Sequence, residues 1–476
     1  MKFSWSLIAA SLVAASSLHA LSFQEGMDET LSTNPIIVER LNNYRATLED
    51  IRAAEAGYLP SLDWISSIGW EKTKTPSTGF QTRTKDFYEH SLQLTENLFN
   101  GFGTEKMVDY HRARLFAASN HFVEKTNDVA LTYTQAYINV LKAKALLDIS
   151  ADNVKFNEDI YTKVNKLYEA GLTTRSEAEK SDTSYSLAKS NFVVAQNNLA
   201  DALYNFQRVY GHPVKASELE DIALAPVIPQ SPEAVIQYAL EHNPSIMVSK
   251  YNVKAACILH EQRKSAYYPK VDAIVRGSQN NNVNGIDGTE NRFRAGLTLS
   301  YNLYRGGADE AEVQKRLSNI HQEQQTKRDK ERELIEQSEL SWSAHNYTAQ
   351  QLEYLTRYKA TSEKTLELYQ KEYDLGRRTL LDLLVAQNDY ISAKQQILRA
   401  KYDNLFAKYR VLDAMGSMVH SVLKDRTADH TALVALKPQD IAPNKDNDFG
   451  YLFLNRSTIE RQADDDQFMT RTLVKQ

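Results

Sequence analysis

The amino-acid sequence predicts an α+β fold written twice in one chain, each half a helix, a β-hairpin and a long helical hairpin. Three observations carry this. Matching words recur in the same order at nearly constant spacing. Within each half the apolar period switches from two residues to alternating threes and fours. Glycines and prolines stand where those periods begin and end.

The repeat comes first. Leu31-Ser-Thr-Asn34-Pro35 matches Leu240-Glu-His-Asn243-Pro244, and Tyr58-Leu59-Pro60 matches Tyr267-Tyr268-Pro269, both at an offset of 209. Asn97-Leu98-Phe99-Asn100-Gly101 matches Asn302-Leu303-Tyr304-Arg305-Gly306 at an offset of 205, as do Tyr168, Gly171, Thr174, Tyr185 and Gly211 with Tyr373, Gly376, Thr379, Tyr390 and Gly416. The length change of four falls between Pro60 and Asn97, where Thr75-Pro76-Ser77-Thr78-Gly79 forms a loop that absorbs it. The period is far too long for a solenoid, so this is a duplicated half. Residues 21–211 and 231–416 are the two repeats. The linker is 212–230, whose Pro226 and Pro229 break any helix, and Ser231-Pro232-Glu233 starts the next one with a cap, a first-turn proline and an acid.

Each half opens with a helix. Ser22 and Glu25 have capping-box spacing, and Pro60 and Pro269 bound the helix ahead of the strands. Alternation then marks strands. Leu62, Trp64, Ser66, Ile68 and Trp70 alternate, followed by Tyr88, His90, Leu92, Leu94, Glu96 and Leu98. In the second half Val271, Ala273 and Val275 alternate, then Phe293 through Leu303. Thr78-Gly79 and the Asn280–Gly288 cluster are turn chemistry, so the chain carries four strands in two hairpins.

After Gly101 and Gly306 the period becomes helical. Val129, Tyr133, Ala136, Val140, Ala143 and Leu147 step by fours and threes, as do Leu398, Tyr402, Leu405, Tyr409 and Leu412, the spacing of coiled-coil packing. No proline interrupts residues 101–171, a helix of roughly 100 Å. Return helices over 173–210 and 378–415 are shorter.

Composition bounds what such a fold can do. Lys2, the apolar run from Leu7 to Ala15, and Ser16, Ser17 and Ala20 read as a secretory signal peptide over residues 1–20. No later stretch is apolar enough for a membrane-spanning helix, whereas a β-barrel leaves little trace in hydropathy. The net charge of −5 is mild and interleaved, which argues against nucleic acid. Cys257, the single cysteine, reads as a small packed residue. The 11 histidines show no metal-ligand spacing, and no phosphate loop or nucleophile elbow occurs, so neither enzyme activity nor a cofactor or metal is expected. His111, His212, His242 and His260 read as solvent-facing. Residues 417–476 lie outside the repeat and read as a polar, unpatterned periplasmic tail. A lone four-stranded sheet leaves two open edges, which lipid does not tolerate, so a membrane reading implies oligomerisation.

Over residues 22–416 the order of elements resembles the TolC family of outer-membrane export channels, the outer membrane efflux protein family. The words that carry the resemblance are Asn34-Pro35, Tyr58-Leu59-Pro60, Leu98-Phe99-Asn100-Gly101-Phe102-Gly103 and, most specifically, Gly376-Arg377-Arg378-Thr379-Leu380-Leu381-Asp382-Leu383-Leu384. The resemblance implies an α+β membrane channel. It would be a homotrimer with a 12-stranded β-barrel in the outer membrane, four strands from each chain, continued by a long periplasmic α-helical barrel. It further implies a passive conduit, opened by docking to a periplasmic adaptor and an inner-membrane transporter. The words at 57–61 and 98–103 look most like the branch serving type I protein secretion.

Carried over onto this sequence, the resemblance implies a periplasmic gate of Tyr373, Arg378 and Glu177, with a charge-assisted bond from Arg378 to Glu177 closing it. It implies a cation-favouring selectivity ring at Asp382; a second ring position, one turn on, is Val385 here. The tip turns, Gly171-Leu172-Thr173 and Gly376-Arg377, are the expected adaptor-docking points. Drug or metal efflux is the alternative cargo class, and a periplasmic coiled-coil scaffold without a pore is the alternative of another kind.

Overall fold

The computed structural model describes residues 21–222 and 226–424. The expected signal segment, and the tail beyond Lys424, lie outside the described residues. The chain falls into two compact units. One is built from residues up to Ile37, Thr126–Ala239 and residues from Glu336; the other from Val38–Lys125 and Leu240–Ile335.

Each half opens with two helices rather than the single one expected. These are α1 (Phe23–Thr33) and α2 (Pro35–Glu55), then α5 (Pro232–His242) and α6 (Pro244–Arg263). The break is chemical. Pro35 and Pro244 supply no N–H to the preceding turn. Asn34 and Asn243, both at φ −64° and ψ 127°, leave the helical region, and their side chains accept from Ile36 N at 3.0 Å and Ser245 N at 2.8 Å. Ser22 caps α1, Glu25 N donating to its Oγ at 3.3 Å, but the expected box is not completed, because Glu25 Oε2 accepts from the Ser22 hydroxyl at 2.8 Å rather than from its backbone N–H.

In the second unit, β1 (Ser61–Thr73), β2 (Arg83–Phe99), β3 (Lys270–Asn281) and β4 (Thr289–Ser300) form one antiparallel meander in the order β1-β2-β3-β4. The last strand ends at Ser300 rather than running on to Leu303. Directly paired residues share a face. Leu62, Trp64, Ile68 and Trp70 share theirs with Leu92, Leu94, Val275, Phe293, Leu297 and Leu299. The opposite face carries Asp63, Ser67, Glu89, Ser91, Gln93, Arg276, Ser278 and Arg294. The apolar face is bare: Trp64 is 72% exposed, Ile68 85% and Phe293 76%. At the base of the sheet Phe99, Phe102 and Tyr268 meet edge to face, with ring centroids 5.5–6.5 Å apart. Gly101 makes this possible. Its φ is +66°, and a Cβ there would lie 2.7 Å from the Ser265 carbonyl oxygen.

The long helices are α3 (Gly103–Glu169) and α7 (Ala308–Asp374), 67 residues each; the return helices are α4 (Arg175–Tyr210) and α8 (Leu380–Ala414). The duplication extends to side-chain bonds: Tyr185 Oη donates to Glu158 at 3.1 Å and Tyr390 Oη to Glu363 at 2.8 Å, each pair 27 residues apart.

In the first unit Phe23 of α1 packs against Tyr133, Tyr137 and Tyr409. Tyr137 Oη donates to the carbonyls of Leu21 (3.0 Å) and Glu220 (2.7 Å), tying the linker to the helices. The expected unpatterned tail begins with a packed helix instead, α9 (Met418–Leu423). Its Met418, Val419, Val422 and Leu423 are buried, and Asn127 clamps its start by accepting from Val419 N at 3.0 Å and donating to Gly416 O at 3.1 Å.

Two further expectations are corrected. Cys257 is exposed, not packed. The buried residue of that turn is Ala255, and two positions rotate a side chain about 200° around a helix. Of the four histidines read as solvent-facing, His212 is exposed, whereas His111, His242 and His260 are half-buried.

Candidate functional site

The tips are built by the same local chemistry twice. After α3, Gly171 N donates to Tyr168 O at 2.9 Å and Leu172 N to Leu167 O at 2.8 Å. After α7, Gly376 N donates to Tyr373 O at 2.9 Å and Arg377 N to Glu372 O at 2.8 Å. This is the Schellman pattern, with Gly171 and Gly376 at φ +73° and +69°. Thr174 and Thr379 then cap α4 and α8, accepting from Glu177 N at 3.4 Å and Asp382 N at 3.2 Å.

Beneath both turns lies one apolar cluster that includes Ile160, Val164, Ala178, Leu366, Leu380 and Leu383, with Tyr369, Tyr373 and Tyr390 packed at its margin. The two hairpins are therefore joined below their tips. Polar bonds reinforce the joint: Lys142 to Asp403 at 3.2 Å, Lys394 to Asp152 at 3.2 Å, Gln387 to Asn153 at 3.1 Å, and Lys163 to Asp374. Leu172 and Leu375 stay outside the cluster, 74% and 69% exposed at the ends of the turns.

The expected gate residues are gathered in this region. Tyr373 is half-buried, and its phenol is pushed above the usual range by burial, then by the Glu177 and Asp374 carboxylates. Lys163 Nζ lies 5.5 Å from its ring centroid. Tyr373 and Glu177 are thus neighbours within one chain. Arg378 has a different companion. Its Nε donates to Glu372 Oε2 at 2.7 Å, and its guanidinium lies 4.1 Å from the Tyr369 ring centroid. Glu177 accepts from the Thr173 hydroxyl. The Arg378–Glu177 bond is not among the bonds within the chain.

Asp382 occupies the third position of α8 and completes a capping box, accepting from the Thr379 hydroxyl at 2.8 Å and from Thr379 N at 3.3 Å. Those bonds, with the charge of Arg378, hold its carboxyl below the usual value. Glu177 stands at the equivalent position of α4, so the two acids are repeat partners, a symmetry visible in the Thr-x-x-acid spacing of both halves but not drawn from it. Val385 follows Asp382 by three residues on the same helix face and is 52% exposed, while Leu383 and Leu384 between them are buried. Sequence reasoning missed Glu372, Tyr369, Lys163 and Asp374. Their lysine–acid and arginine–acid pairings join positions too far apart in the chain, or across a turn, to show as spacing.

Among the described residues no group of His, Cys, Asp and Glu could hold a metal ion, and no helix is long and apolar enough to cross a membrane. The elements that suit a bilayer are the strands. One face of the meander carries most of the large apolar side chains, crossed by the polar row Ser66–His90–Gln279–Asn291, the other is mainly polar, and β1 and β4 each leave one edge without a partner strand among the described residues.

Comparison with known proteins points the same way. A sequence profile described as "Outer membrane efflux protein" matches residues 26–212 and 235–417. The outer membrane efflux protein BepC of Brucella suis biovar 1 (strain 1330) is 25% identical over 89% of this chain and 93% of its own. The alkaline protease secretion protein AprF of Pseudomonas aeruginosa is 24% identical over 82% of this chain and 84% of its own. The crystal structure of CusC, described for its transmembrane channel formation, superposes with a TM-score of 0.73 at 17% identity, covering 83% of this chain and 91% of CusC.

Proposed function

The chain belongs to the outer membrane efflux protein family, and from that membership we propose that three copies of it form the outer-membrane conduit of a tripartite export machine. The observation that carries this reading is the two-faced, open-edged sheet. Unpaired backbone groups in hydrocarbon are costly, so a spanning sheet must close on itself. Four strands are too few, and three copies bring twelve. The apolar face meets outer-membrane lipid and the polar face lines the pore. The helical hairpins continue the conduit through the periplasm.

The conduit is passive, and the pump supplies the energy. The tip turns, Gly171-Leu172-Thr173 and Gly376-Arg377, exposed except at half-buried Thr173, meet a periplasmic adaptor that works with an inner-membrane transporter. At rest the tips are shut, and Arg378 reaches Glu177 of an adjacent copy in exchange for Glu372. Asp382 of each copy faces the axis and favours cations, and with Val385 one turn on the ring is single. The cargo reading is type I secretion of proteins, supported by the word pattern at 57–61 and 98–103 and by the likeness to AprF. Drug or metal efflux is the second reading, favoured by the likeness to BepC, an outer membrane efflux protein.

Single-channel conductance of the purified protein in planar bilayers tests the proposal. A small, cation-preferring conductance is expected, rising in Arg378→Ser and losing its preference in Asp382→Ala. A folded protein that partitions into the aqueous phase and never conducts would mean a periplasmic scaffold instead.

A further inference from the structure

On the polar face of the sheet, the register sets Arg276 of β3 directly opposite Arg294 of β4. Like charges in that position repel and weaken strand pairing, so a sheet selected for stability alone avoids them. Arg292 stands two residues along β4 on the same face, opposite Ser278. All three arginines are exposed.

Their neutralisation is incomplete. Arg292 has Glu290 at 2.5 Å. Arg276 donates to the neutral Ser91 hydroxyl at 3.3 Å. Among the described residues neither Arg276 nor Arg294 forms an ion pair. The row that holds them runs Asp63–Gln93–Arg276–Arg294, and the next runs Ile65–Ser91–Ser278–Arg292. The next row on the same face, Ser67–Glu89–Asn280–Glu290, brings two more carboxylates, and Glu290 takes up Arg292, so the excess charge is the facing pair Arg276 and Arg294.

We propose that this band is an anion-binding ring on the pore wall of the assembled barrel, taking multivalent oxyanions of the phosphate and sulfate type. The proposal rests on the reading of the polar face as the pore lining. Assembly carries the arginine pair around the axis in every copy. A charged band in a water-filled passage with low-dielectric walls focuses its field and concentrates counter-ions. Arginine suits the role, because its planar fork meets two oxygens of an oxyanion at once and it stays charged at every accessible pH. The ring is opposite in sign to Asp382, so the conduit carries a cation-favouring entrance and an anion-favouring wall.

The test is block of single-channel current by tripolyphosphate, added to each side of the bilayer in turn. It compares full-length wild type, Arg276→Gln/Arg294→Gln and Arg276→Lys/Arg294→Lys. In wild type the current is blocked. In the Gln variant the half-blocking concentration rises about 10-fold or more, and the Lys variant stays near wild type. If the Gln double variant does not assemble, Arg294→Gln alone is read in the same assay, since Arg276 keeps its bond to Ser91. Conductance without block in wild type, or with equal block in the Gln variants, overturns the anion ring and leaves the channel standing. Absence of any conductance in wild type overturns the channel reading, and the ring falls with it.

Discussion

Arg378 donates to Glu372 across the turn of its own hairpin, at 2.7 Å, while its guanidinium covers the Tyr369 ring. On the proposed gate reading Arg378 has two suitors, Glu372 within the chain and Glu177 on a neighbouring copy. Both members of the internal pair are more than a third exposed, so solvent screens the bond and a competing carboxylate can displace it. Glu372→Gln releases Arg378 to the neighbour. Open probability in planar bilayers should fall by up to about 5-fold, while Arg378→Ser raises it. Opening in both variants would show that Arg378 shuts the tip through Glu372 alone.

Lys163 joins α3 to α7 just beneath the tips, bonded to Asp374 and close to the Tyr373 ring. Lys163→Met and Asp374→Asn should each lengthen open dwell times by about 1.4- to 5-fold, matching an exposed pair of roughly 0.2–1 kcal/mol. The double variant should open no further than either single one, since both remove the same bond. Additive effects would argue that the two residues act separately.

Asp382 gives a pH prediction. Its carboxyl is held below the usual value of 3.8, first by the Thr379 hydroxyl. A depressed folded value means that its charge, and its contribution to the fold, are fully present above the unfolded value and are lost as pH falls through the folded one. Cation preference measured by reversal potential should therefore be flat from neutral pH down to about 5. Asp382→Asn should abolish the preference at every pH while keeping the helix start through Thr379. A preference that fades between neutrality and pH 5 would point to another group.

The two faces of the sheet should answer differently to one charge. Leu92 lies on the apolar face and Ser67 on the polar face, opposite Glu89. Leu92→Arg should cost about 2–4 kcal/mol if it sits at bilayer mid-depth and should prevent a heat-resistant oligomer on a gel. Ser67→Arg should assemble normally. Equal tolerance of both substitutions would mean that neither face meets lipid.

Much of this architecture could be read in the sequence because its causes are local. Period-two alternation from Leu62 to Trp70 depends only on which side of a strand is wet. Gly171 and Gly376 mark helix reversals because few other residues take positive φ cheaply. The features that escaped depend on competition or distance. Asn34-Pro35 was visible as a repeated word, yet its effect, cutting one helix into two, needs the cap and the missing N–H weighed together. The burial of α9 depends on Asn127, which is 292 residues from Val419. Asp382 was legible as an acid near a turn, but its capping bond to Thr379 shows only in the geometry. Residue type alone puts Cys257 among packed residues, whereas helical phase decides its exposure.

The unpaired edges of β1 and β4 have a genetic consequence. In a ring of three, each copy lends one edge to each neighbour, so a single damaged chain breaks the seam for all of them. Where a β1-edge mutant and wild type are made in equal amounts and mix freely, only about one ring in eight is free of the mutant. The proposed ring of three therefore predicts that such an allele is dominant negative, whereas a null allele of the same gene is recessive.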